Sequence, residues 1–261
     1  MNQQHTTITS KDGVELDAIY TEIDNSHKAV LFAHGMTSSK DLELVNIETE
    51  KRLNAAGITT LRFDFRAHGN SPGDSVKDFT VSGSLYDLEG VVSFVKEKQY
   101  SWVGLVGCSF GGGIASLFSG AHADLVQALC LVNPVLDYEE TFLAPSTPWA
   151  KKYFTNAQQR LEKDGFIEIG SRNYKIGLNL LEDMKEYSPY EMLEKYYGPL
   201  LILQGTNDQI LNHQDIYTQF INLESDNKRI EIINGAEHGL NTEPYTQEAA
   251  ELMADFFVSP A

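Results

Sequence analysis

The sequence is poor in cysteine and contains no long apolar run. Its two cysteines, Cys108 and Cys130, form no C-x-x-C or zinc-type spacing, so both are interpreted as small core residues. No stretch reaches the roughly 18 apolar residues that a membrane-spanning helix needs. Residues 1–6 lack the charged and apolar regions of a secretory signal peptide. These absences predict a cytoplasmic protein that does not enter a membrane and uses no metal or other cofactor.

The sequence is also poor in positively charged residues. The chain has 261 residues, with 20 Lys and Arg against 37 Asp and Glu, which gives a formal net charge of −17 at pH 7. Such a charge repels nucleic acids and anionic membrane surfaces, although it names no substrate by itself. We therefore expect a small molecule as the partner. The sequence leaves the oligomeric state open, with a homodimer among the alternatives.

What the sequence does contain is a regular alternation of apolar runs and amphipathic stretches. This pattern predicts an α/β fold with a mostly parallel sheet of about eight strands and helices on both faces. An antiparallel pair of strands is expected at the start, in residues 6–9 and 14–20. In the predicted helix 82–98, apolar residues recur at three- and four-residue spacing from Leu85 to Val95, as one buried face requires.

The alternation breaks after Pro134. About 60 residues pass before the next strand pattern, whereas most connections in such folds have 2–6 residues. We predict that residues 135–198 form an inserted cap subdomain and that residues 1–134 and 199–261 form the core. Short elements are expected inside the cap: a hairpin of 166–169 with 174–176, and helices at 148–154 and 180–186.

The most informative segment is Gly107-Cys108-Ser109-Phe110-Gly111. It is a G-x-S-x-G motif between an apolar run and a glycine-rich helical start, which is the strand, turn and helix context that the motif requires. Side chains at Gly107 and Gly111 would collide as strand and helix approach, and the turn exposes the serine. Because the motif alone also occurs by chance, the rest of the chain must decide whether Ser109 is a nucleophile.

A serine hydroxyl attacks only when a base takes its proton and a carboxylate orients that base. At an elbow of this kind the chain order is nucleophile, acid, histidine, with the last two on loops after strands. Asp208 follows the apolar strand pattern of residues 199–204, and His238 lies in the loop after the next strand candidate, residues 228–233. Glu237 and Asp215 are rival acids, but Glu237 adjoins His238 and Asp215 lies early in a predicted helix. Asp208 and His238 are therefore the predicted acid and base.

The charge that develops on a carbonyl oxygen needs fixed hydrogen-bond donors. The N–H of Phe110, the residue after the proposed nucleophile, is one candidate, and the N–H of Met36 in the loop after the third strand is the other. His34 and Gly35 open that loop and are predicted to contribute to substrate binding. His34 and His68 are interpreted as structural members of the site, and the remaining four histidines as surface residues.

Taken together, these segments resemble the α/β-hydrolase superfamily of serine hydrolases over nearly the whole chain. Within it, the chain is most similar to the small bacterial carboxylesterases that include feruloyl and cinnamoyl esterases, with their HG-[FM]-T-type loop and compact cap. Ala67 stands where the family commonly has glycine. The resemblance implies an α/β-hydrolase fold, and it rests on His34-Gly35, residues 64–71 (similar to D-x-R-G-H-G-x-S), Gly107 to Gly111, Gly205 to Asp208, and His238.

The predicted function is a serine carboxylesterase that acts on small carboxylic esters, with short acyl or hydroxycinnamoyl groups, through an acyl-enzyme on Ser109. A serine peptidase or amidase and an acyltransferase or lyase would use similar residues. A non-catalytic binding protein with the same fold is a further alternative. Serine at position 109 argues against the dehalogenase and epoxide-hydrolase branches, which the resemblance implies use aspartate there.

The predicted cap is rich in aromatic residues that would lie over Ser109. We expect one or two of them to line the substrate pocket and the others to pack the cap onto the core. Their identity does not indicate which acyl or alcohol group is preferred. The candidates for substrate binding are Trp149, Tyr153, Phe154, Phe166 and Tyr174.

Overall fold

The computed structural model describes residues 1–259, and its main feature is an eight-stranded sheet with the order β1-β2-β4-β3-β5-β6-β9-β10. β2 runs antiparallel to β1 and β4, and every other pair in this sheet is parallel. The predicted fold class and its antiparallel start are confirmed. The strands are β1 (Asn2–Thr9), β2 (Glu15–Glu22), β3 (Lys28–Ala33), β4 (Thr59–Phe63), β5 (Trp102–Cys108), β6 (Ala128–Val132), β7 (Ile167–Ile169), β8 (Tyr174–Ile176), β9 (Leu200–Gly205) and β10 (Lys228–Ile233).

Helices cover both faces of this sheet, because the central strands are apolar on both sides. In β3, Val30 and Phe32 belong to the buried apolar cluster on one face, which includes residues of α1 and α9, whereas Leu31 belongs to the cluster on the other face, which includes residues of α2 and α3. The helices are α1 (Leu44–Ala55), α2 (Val81–Glu97), α3 (Phe110–Ala121), α4 (Pro148–Phe154), α5 (Ala157–Asp164), α6 (Leu178–Met184), α7 (Pro189–Leu193), α8 (His213–Asn222) and α9 (Tyr245–Val258). Within residues 1–259, no helix combines the length and apolar character that crossing a membrane requires.

The long connection between β6 and β9 is not one continuous loop. It contains a short π-helix (Glu139–Leu143), the helices α4 to α7 and the antiparallel hairpin of β7 with β8. The hairpin and α4 lie where the sequence predicts them, and α6 begins two residues earlier than expected. The π-helix, α5 and α7 were not predicted. α7 packs directly on α3 of the core.

The parallel strands bring the loops that follow them to one edge of the sheet. Ala33 at the end of β3 pairs with Gly107 of β5, and Cys108 of β5 pairs with Val132 of β6. β9 continues the series beside β6, and β10 lies beside β9. The loops after these strands therefore begin side by side, at the edge where ligands bind in open α/β folds.

Candidate active site

Ser109 occupies a sharp turn between β5 and α3. Its φ is 52° and its ψ is −118°, in a region that residues with a side chain rarely adopt. The turn is held by the Ser109 carbonyl, which accepts from the N–H groups of Gly112 and Val135 at 2.9 and 3.0 Å. A Cβ on Gly107 would lie 2.6 Å from the Gly111 oxygen, so the predicted steric need for glycine at position 107 is met.

Three predicted residues meet at this turn. His238 Nε2 lies 2.8 Å from Ser109 Oγ, and His238 Nδ1 lies 2.7 Å from Asp208 Oδ2. With Nδ1–H donating to the carboxylate, Nε2 is free to accept from the serine hydroxyl, so the two partners define the tautomer. Glu237, the rival acid beside His238, is exposed, and Asp215 lies in the first turn of α8.

Asp208 is fixed by donors that surround its buried carboxylate. The backbone N–H groups of Ile210 and Leu211 donate to Oδ1 at 2.9 and 3.0 Å. Two side-chain amides donate to Oδ2: Asn133 Nδ2 at 2.7 Å and Gln204 Nε2 at 3.2 Å. Asn133 and Gln204 were not among the predicted site residues. Their position at the ends of β6 and β9 was the available signal, because these neighbouring strand ends reach the same edge.

Asp208 and His238 each favour the charged form of the other. Burial disfavours the imidazolium of His238, but the charge and hydrogen bond of Asp208 outweigh it, and the pKa of His238 is raised above its ordinary value. Burial also disfavours the carboxylate of Asp208, but attraction to His238 and the hydrogen bonds it accepts keep the pKa of Asp208 below its usual value. The arrangement therefore stabilises an imidazolium that forms when the serine loses its proton.

The two predicted oxyanion donors, the N–H groups of Phe110 and Met36, belong to residues on two different segments beside Ser109. Phe110 is the first residue of α3, where the positive end of the helix dipole favours negative charge. Met36 lies two residues beyond His34, in the loop after β3, and lines the same cavity as Ser109. Across residues 1–259, neither N–H donates to another backbone group. Both are thus available to a negatively charged oxygen beside Ser109.

The loop that carries Met36 is anchored by His34. His34 Nε2 accepts from the Phe65 N–H at 3.1 Å, and its Nδ1 lies 2.8 Å from the Gly35 oxygen. Burial lowers the pKa of His34 to about 4, so its imidazole is neutral near pH 7. Gly35 approaches Ser109 closely, since a Cβ on Gly35 would lie 3.1 Å from Ser109 Cβ. His34 is thus buried behind the loop that it anchors, whereas Gly35 lines the cavity.

His68 belongs to the buried aromatic cluster behind this loop. Its ring stacks on Tyr174 with 4.5 Å between ring centroids, and it lies 5.1 Å from the His34 ring. Burial, with a smaller effect of His34, lowers the pKa of His68 to about 3. The hydroxyl of Tyr174 donates to the Ala67 oxygen at 3.1 Å. Tyr174 therefore connects the β7–β8 hairpin to the core.

A cavity of about 380 Å³ opens beside Ser109 and His238. Of the five predicted cap aromatics, Trp149 lines it. Tyr153 packs on Trp149 with ring centroids 5.0 Å apart, Phe154 is buried against Phe142, and the ring of Phe166 lies under Lys175. The wall also includes apolar and polar residues that the sequence did not single out: Leu42, Glu43, Val135, Phe142, Ile169, Arg172, Ile210 and Asn241.

Nothing in the described part of the chain resembles a metal site. Among residues 1–259, no group of three or more His, Cys, Asp or Glu side chains is arranged to hold a metal ion. Both cysteines are buried and unpaired, and burial raises the pKa of the Cys108 and Cys130 thiols. They are core residues, as predicted.

Comparison with known proteins identifies the class and the family. The sheet topology and the arrangement of Ser109, His238 and Asp208 are those of an α/β-hydrolase, and the chain is a serine hydrolase of the esterase and lipase type. The family model described as "Hydrolase_4: Serine aminopeptidase, S33" matches residues 24–162, and the chain belongs to this family.

Similar curated proteins span most of the chain. It is 25% identical to the human (Homo sapiens) "Monoacylglycerol lipase ABHD6", over 89% of this chain and 76% of that protein. It is 27% identical to a "Putative 2-succinyl-6-hydroxy-2,4-cyclohexadiene-1-carboxylate synthase" of Bacillus subtilis, over 90% and 92% of the two chains.

Solved structures share the fold at low sequence identity. Est1E of Butyrivibrio proteoclasticus, solved with bound ferulic acid, superposes with a TM-score of 0.79 at 20% identity and covers 97% of this chain and 98% of its own. The esterase Pf2001 of Pyrococcus furiosus gives a TM-score of 0.73 at 21% identity, with coverage of 98% and 91%. These likenesses show the α/β-hydrolase fold.

Proposed function

We propose that this enzyme is a carboxylesterase that hydrolyses small carboxylic esters through an acyl-enzyme on Ser109. The observation that carries the proposal is the 2.8 Å contact between Ser109 Oγ and His238 Nε2. This contact lets His238 remove the proton of the hydroxyl as the oxygen attacks the ester carbonyl. Asp208, at 2.7 Å from His238 Nδ1, stabilises the imidazolium that results.

The proposed reaction has two halves that use the same groups. In the first, Ser109 Oγ bonds to the carbonyl carbon, His238 takes the serine proton and returns it to the leaving alcohol oxygen, and the acyl group remains on Ser109. In the second, His238 removes a proton from water, the hydroxide oxygen bonds to the acyl carbon, and His238 returns the proton to Ser109 Oγ. The products are the alcohol and the carboxylic acid.

The N–H groups of Phe110 and Met36 are the proposed oxyanion donors. Each fixed donor of this kind typically contributes a factor of about 100 to 1,000 in turnover, because it stabilises charge that develops only in the transition state. The position of Phe110 at the start of α3 adds the helix dipole to its effect.

Residues 135–198 are proposed to act as a cap over the acyl or alcohol pocket. Phe142, Trp149, Ile169 and Arg172 come from this segment and line the 380 Å³ cavity that also contains Ser109. The apolar character of Phe142, Trp149 and Ile169 supports a short acyl or hydroxycinnamoyl group as the acyl part. The similarity to a monoacylglycerol lipase supports an ester as the substrate, and the likeness to Est1E with bound ferulic acid supports the hydroxycinnamoyl alternative.

A peptidase or amidase is the second candidate, because the description of the family names a serine aminopeptidase. The same residues would cleave an amide if His238 protonated a leaving amine.

A cytoplasmic location and a homodimer are further proposals. Cell fractionation tests the location, and light scattering tests the oligomeric state.

Labelling and a substrate panel test the proposed function. A fluorophosphonate probe should label the parent and the Ser116→Ala variant, whose serine lies buried in α3 and donates to the Gly112 oxygen. The Ser109→Ala variant should not be labelled. The panel compares 4-nitrophenyl acetate, butyrate and octanoate, methyl ferulate, and alanine 4-nitroanilide. Faster hydrolysis of the anilide than of every ester would favour the peptidase, and labelling of Ser109→Ala would overturn the nucleophile.

A further inference from the structure

A second cavity lies within the proposed cap, and the proposed reaction does not use it. This cap cavity has a volume of about 740 Å³, nearly double the 380 Å³ of the active-site cavity. All of its lining residues fall within residues 142–185. The apolar residues Phe154 and Leu181 in its wall are buried, whereas the charged residues Lys151 and Glu162 are exposed. The inner part of the cap cavity is therefore apolar, and its charged groups lie at the mouth.

A single side chain belongs to the walls of both cavities. Among residues 1–259, Phe142 alone lines the cap cavity and the active-site cavity. It lies in the short π-helix and is 3% exposed. Its ring meets the ring of Phe154 edge-on, with centroids 5.0 Å apart, and lies 6.1 Å from the ring of Tyr138. Aromatic neighbours on two sides fix its position. Phe142 therefore forms a wall between the two cavities.

The contacts of Tyr138 connect this wall to the oxyanion side of the active site. The ring of Tyr138 stacks on that of Phe110, with centroids 6.2 Å apart, and Tyr138 is itself buried. The N–H of Phe110 is a proposed donor to the carbonyl oxygen of the acyl group. The leaving alcohol, in contrast, takes its proton from His238. We therefore place the acyl chain, rather than the alcohol, against Phe142.

We propose that Phe142 limits the length of the acyl chain that the enzyme accepts, by closing the active-site cavity against the cap cavity. This inference rests on the proposed function. A short chain ends in front of the ring, whereas a longer chain meets a fixed side chain and does not reach the apolar space behind it. Each methylene group buried in an apolar pocket is worth about fourfold in kcat/KM. Removing the ring should therefore convert a limit on chain length into a preference for longer chains.

A series of 4-nitrophenyl esters tests the limit on the unmodified enzyme. The acyl groups are acetate, butyrate, hexanoate, octanoate and decanoate, each kept below the concentration at which it forms micelles. We expect kcat/KM to reach its maximum at butyrate or hexanoate, and to be at least about tenfold lower for decanoate than for butyrate. A parent enzyme that hydrolyses decanoate as fast as butyrate overturns the inference.

Two variants then assign the limit to Phe142. Phe142→Ala joins the two cavities, and it should raise the ratio of kcat/KM for decanoate over butyrate by about tenfold to a hundredfold. Leu181→Ala is the matched control, because it removes a buried apolar side chain from the wall of the cap cavity alone. It should leave the ratio within about twofold of the parent value. The ratio is independent of how much folded enzyme each preparation contains.

A second series separates the acyl chain from the alcohol. Ethyl, butyl and octyl butyrate share one acyl group and differ in the length of the alcohol. Phe142→Ala should change the ratio of kcat/KM for octyl over ethyl butyrate by less than about twofold, because the alcohol lies on the side of His238. A larger shift in this series than in the acyl series would overturn the placement of the acyl chain against Phe142.

The outcomes separate this inference from the proposed function. A parent that hydrolyses no ester of either series would overturn both. A parent that hydrolyses the short esters, with a Phe142→Ala variant that is folded by thermal unfolding and keeps the parent ratio, would overturn the inference alone. An equal rise in Leu181→Ala would also overturn it. If Phe142→Ala does not fold, Phe142→Leu decides the question: its smaller opening should raise the ratio by about threefold or more, and an unchanged ratio overturns the inference.

Discussion

Asn133 and His238 donate to the same oxygen of Asp208. Asn133 Nδ2 and His238 Nδ1 each lie 2.7 Å from Asp208 Oδ2. Asn133 is fully buried and has a φ of 43°, a left-handed conformation that asparagine tolerates better than most residues. The segment that follows β6, which carries none of the three predicted catalytic residues, therefore helps to hold the acid in position.

Replacing Asn133 by glycine should weaken catalysis without straining the backbone. Glycine accepts the left-handed φ but removes the amide, and a hydrogen bond to a charged group contributes about 1.5–3 kcal/mol. We expect kcat/KM for 4-nitrophenyl butyrate to fall by about tenfold to a hundredfold. Asn156→Gly is the control, because Asn156 has a φ of 53° and lies away from the triad. Equal rates for the two variants would show that the Asn133 amide does not support Asp208.

Ser109 combines a proposed chemical role with an unfavourable backbone conformation, and two substitutions separate these. Ser109→Ala and Ser109→Gly should both lose turnover by several orders of magnitude, because each removes the attacking oxygen. Glycine also relieves the left-handed φ of 52°. The free energy of unfolding of Ser109→Gly should therefore exceed that of Ser109→Ala by about 1 kcal/mol in urea titrations.

The reverse order is expected at Ser116, in the interior of α3, where glycine costs a helix about 1 kcal/mol relative to alanine. Ser116→Ala should therefore be more stable than Ser116→Gly. If Ser109→Ala were also more stable than Ser109→Gly, the turn at Ser109 would not be strained.

The pH dependence of the esterase should follow the ionisation of His238. Proton removal needs the neutral imidazole, so kcat/KM should fall as the pH drops below the raised pKa of His238. Asp208→Asn removes the negative charge that raises this pKa. The acid limb of the pH profile should therefore move to lower pH, while turnover drops by about 10,000-fold. A limb that stays in place would show that the titrating group is not His238.

Much of the fold and the three catalytic candidates followed from the sequence. Strand patterns such as that before Asp208 were apolar on both faces, and the loop after each was short enough to place the acid and base. Asn133, Gln204 and Glu43 lie in no recognisable motif. Their contacts depend on β6 lying between β5 and β9 and on α1 starting beside the Gly35 loop. A single sequence does not specify that order of strands.

The spacing of residues along the sequence also could not identify which residues of the proposed cap line the cavity. The aromatic residues of α4 were visible in the sequence, but which of them would face Ser109 depends on how the helix is rotated against Phe142.

Ala67, in contrast, departs visibly from the glycine common in the family, and its φ is 59°. The structure thus keeps the left-handed conformation even though the residue is not glycine.

Ala67→Gly should stabilise the protein. A left-handed φ costs a residue with a Cβ about 1–2 kcal/mol, part of which is offset by the greater freedom of glycine in the unfolded chain. We expect a gain of about 0.5–1 kcal/mol in the free energy of unfolding, or about 1–4 °C in Tm. Gly57→Ala is a useful counterpart, since Gly57 has a φ of 84° with open space around it, and alanine there should destabilise. A lower Tm for Ala67→Gly would contradict the strain.

The two neighbouring aromatics of α4 offer a test of the proposed cap. Trp149 lines the cavity beside Ser109, whereas Tyr153, with its ring centroid 5.0 Å from that of Trp149, does not. Contacts made equally in the ground and transition states change KM and substrate ranking more than the chemical step. Trp149→Ala should therefore alter the ratio of kcat/KM for methyl ferulate over 4-nitrophenyl butyrate by about fivefold to fiftyfold, through KM.

Tyr153→Ala should change the same ratio by less than about twofold, because its ring contributes packing behind Trp149 and not cavity wall. Thermal unfolding of both variants checks that they remain folded, and the two should lose comparable stability. If the two substitutions shifted the ratio equally, selectivity would depend on the rigidity of α4 and not on the surface that Trp149 presents. If neither shifted it, the walls that select the substrate would have to come from the core loops around Met36 and Leu42.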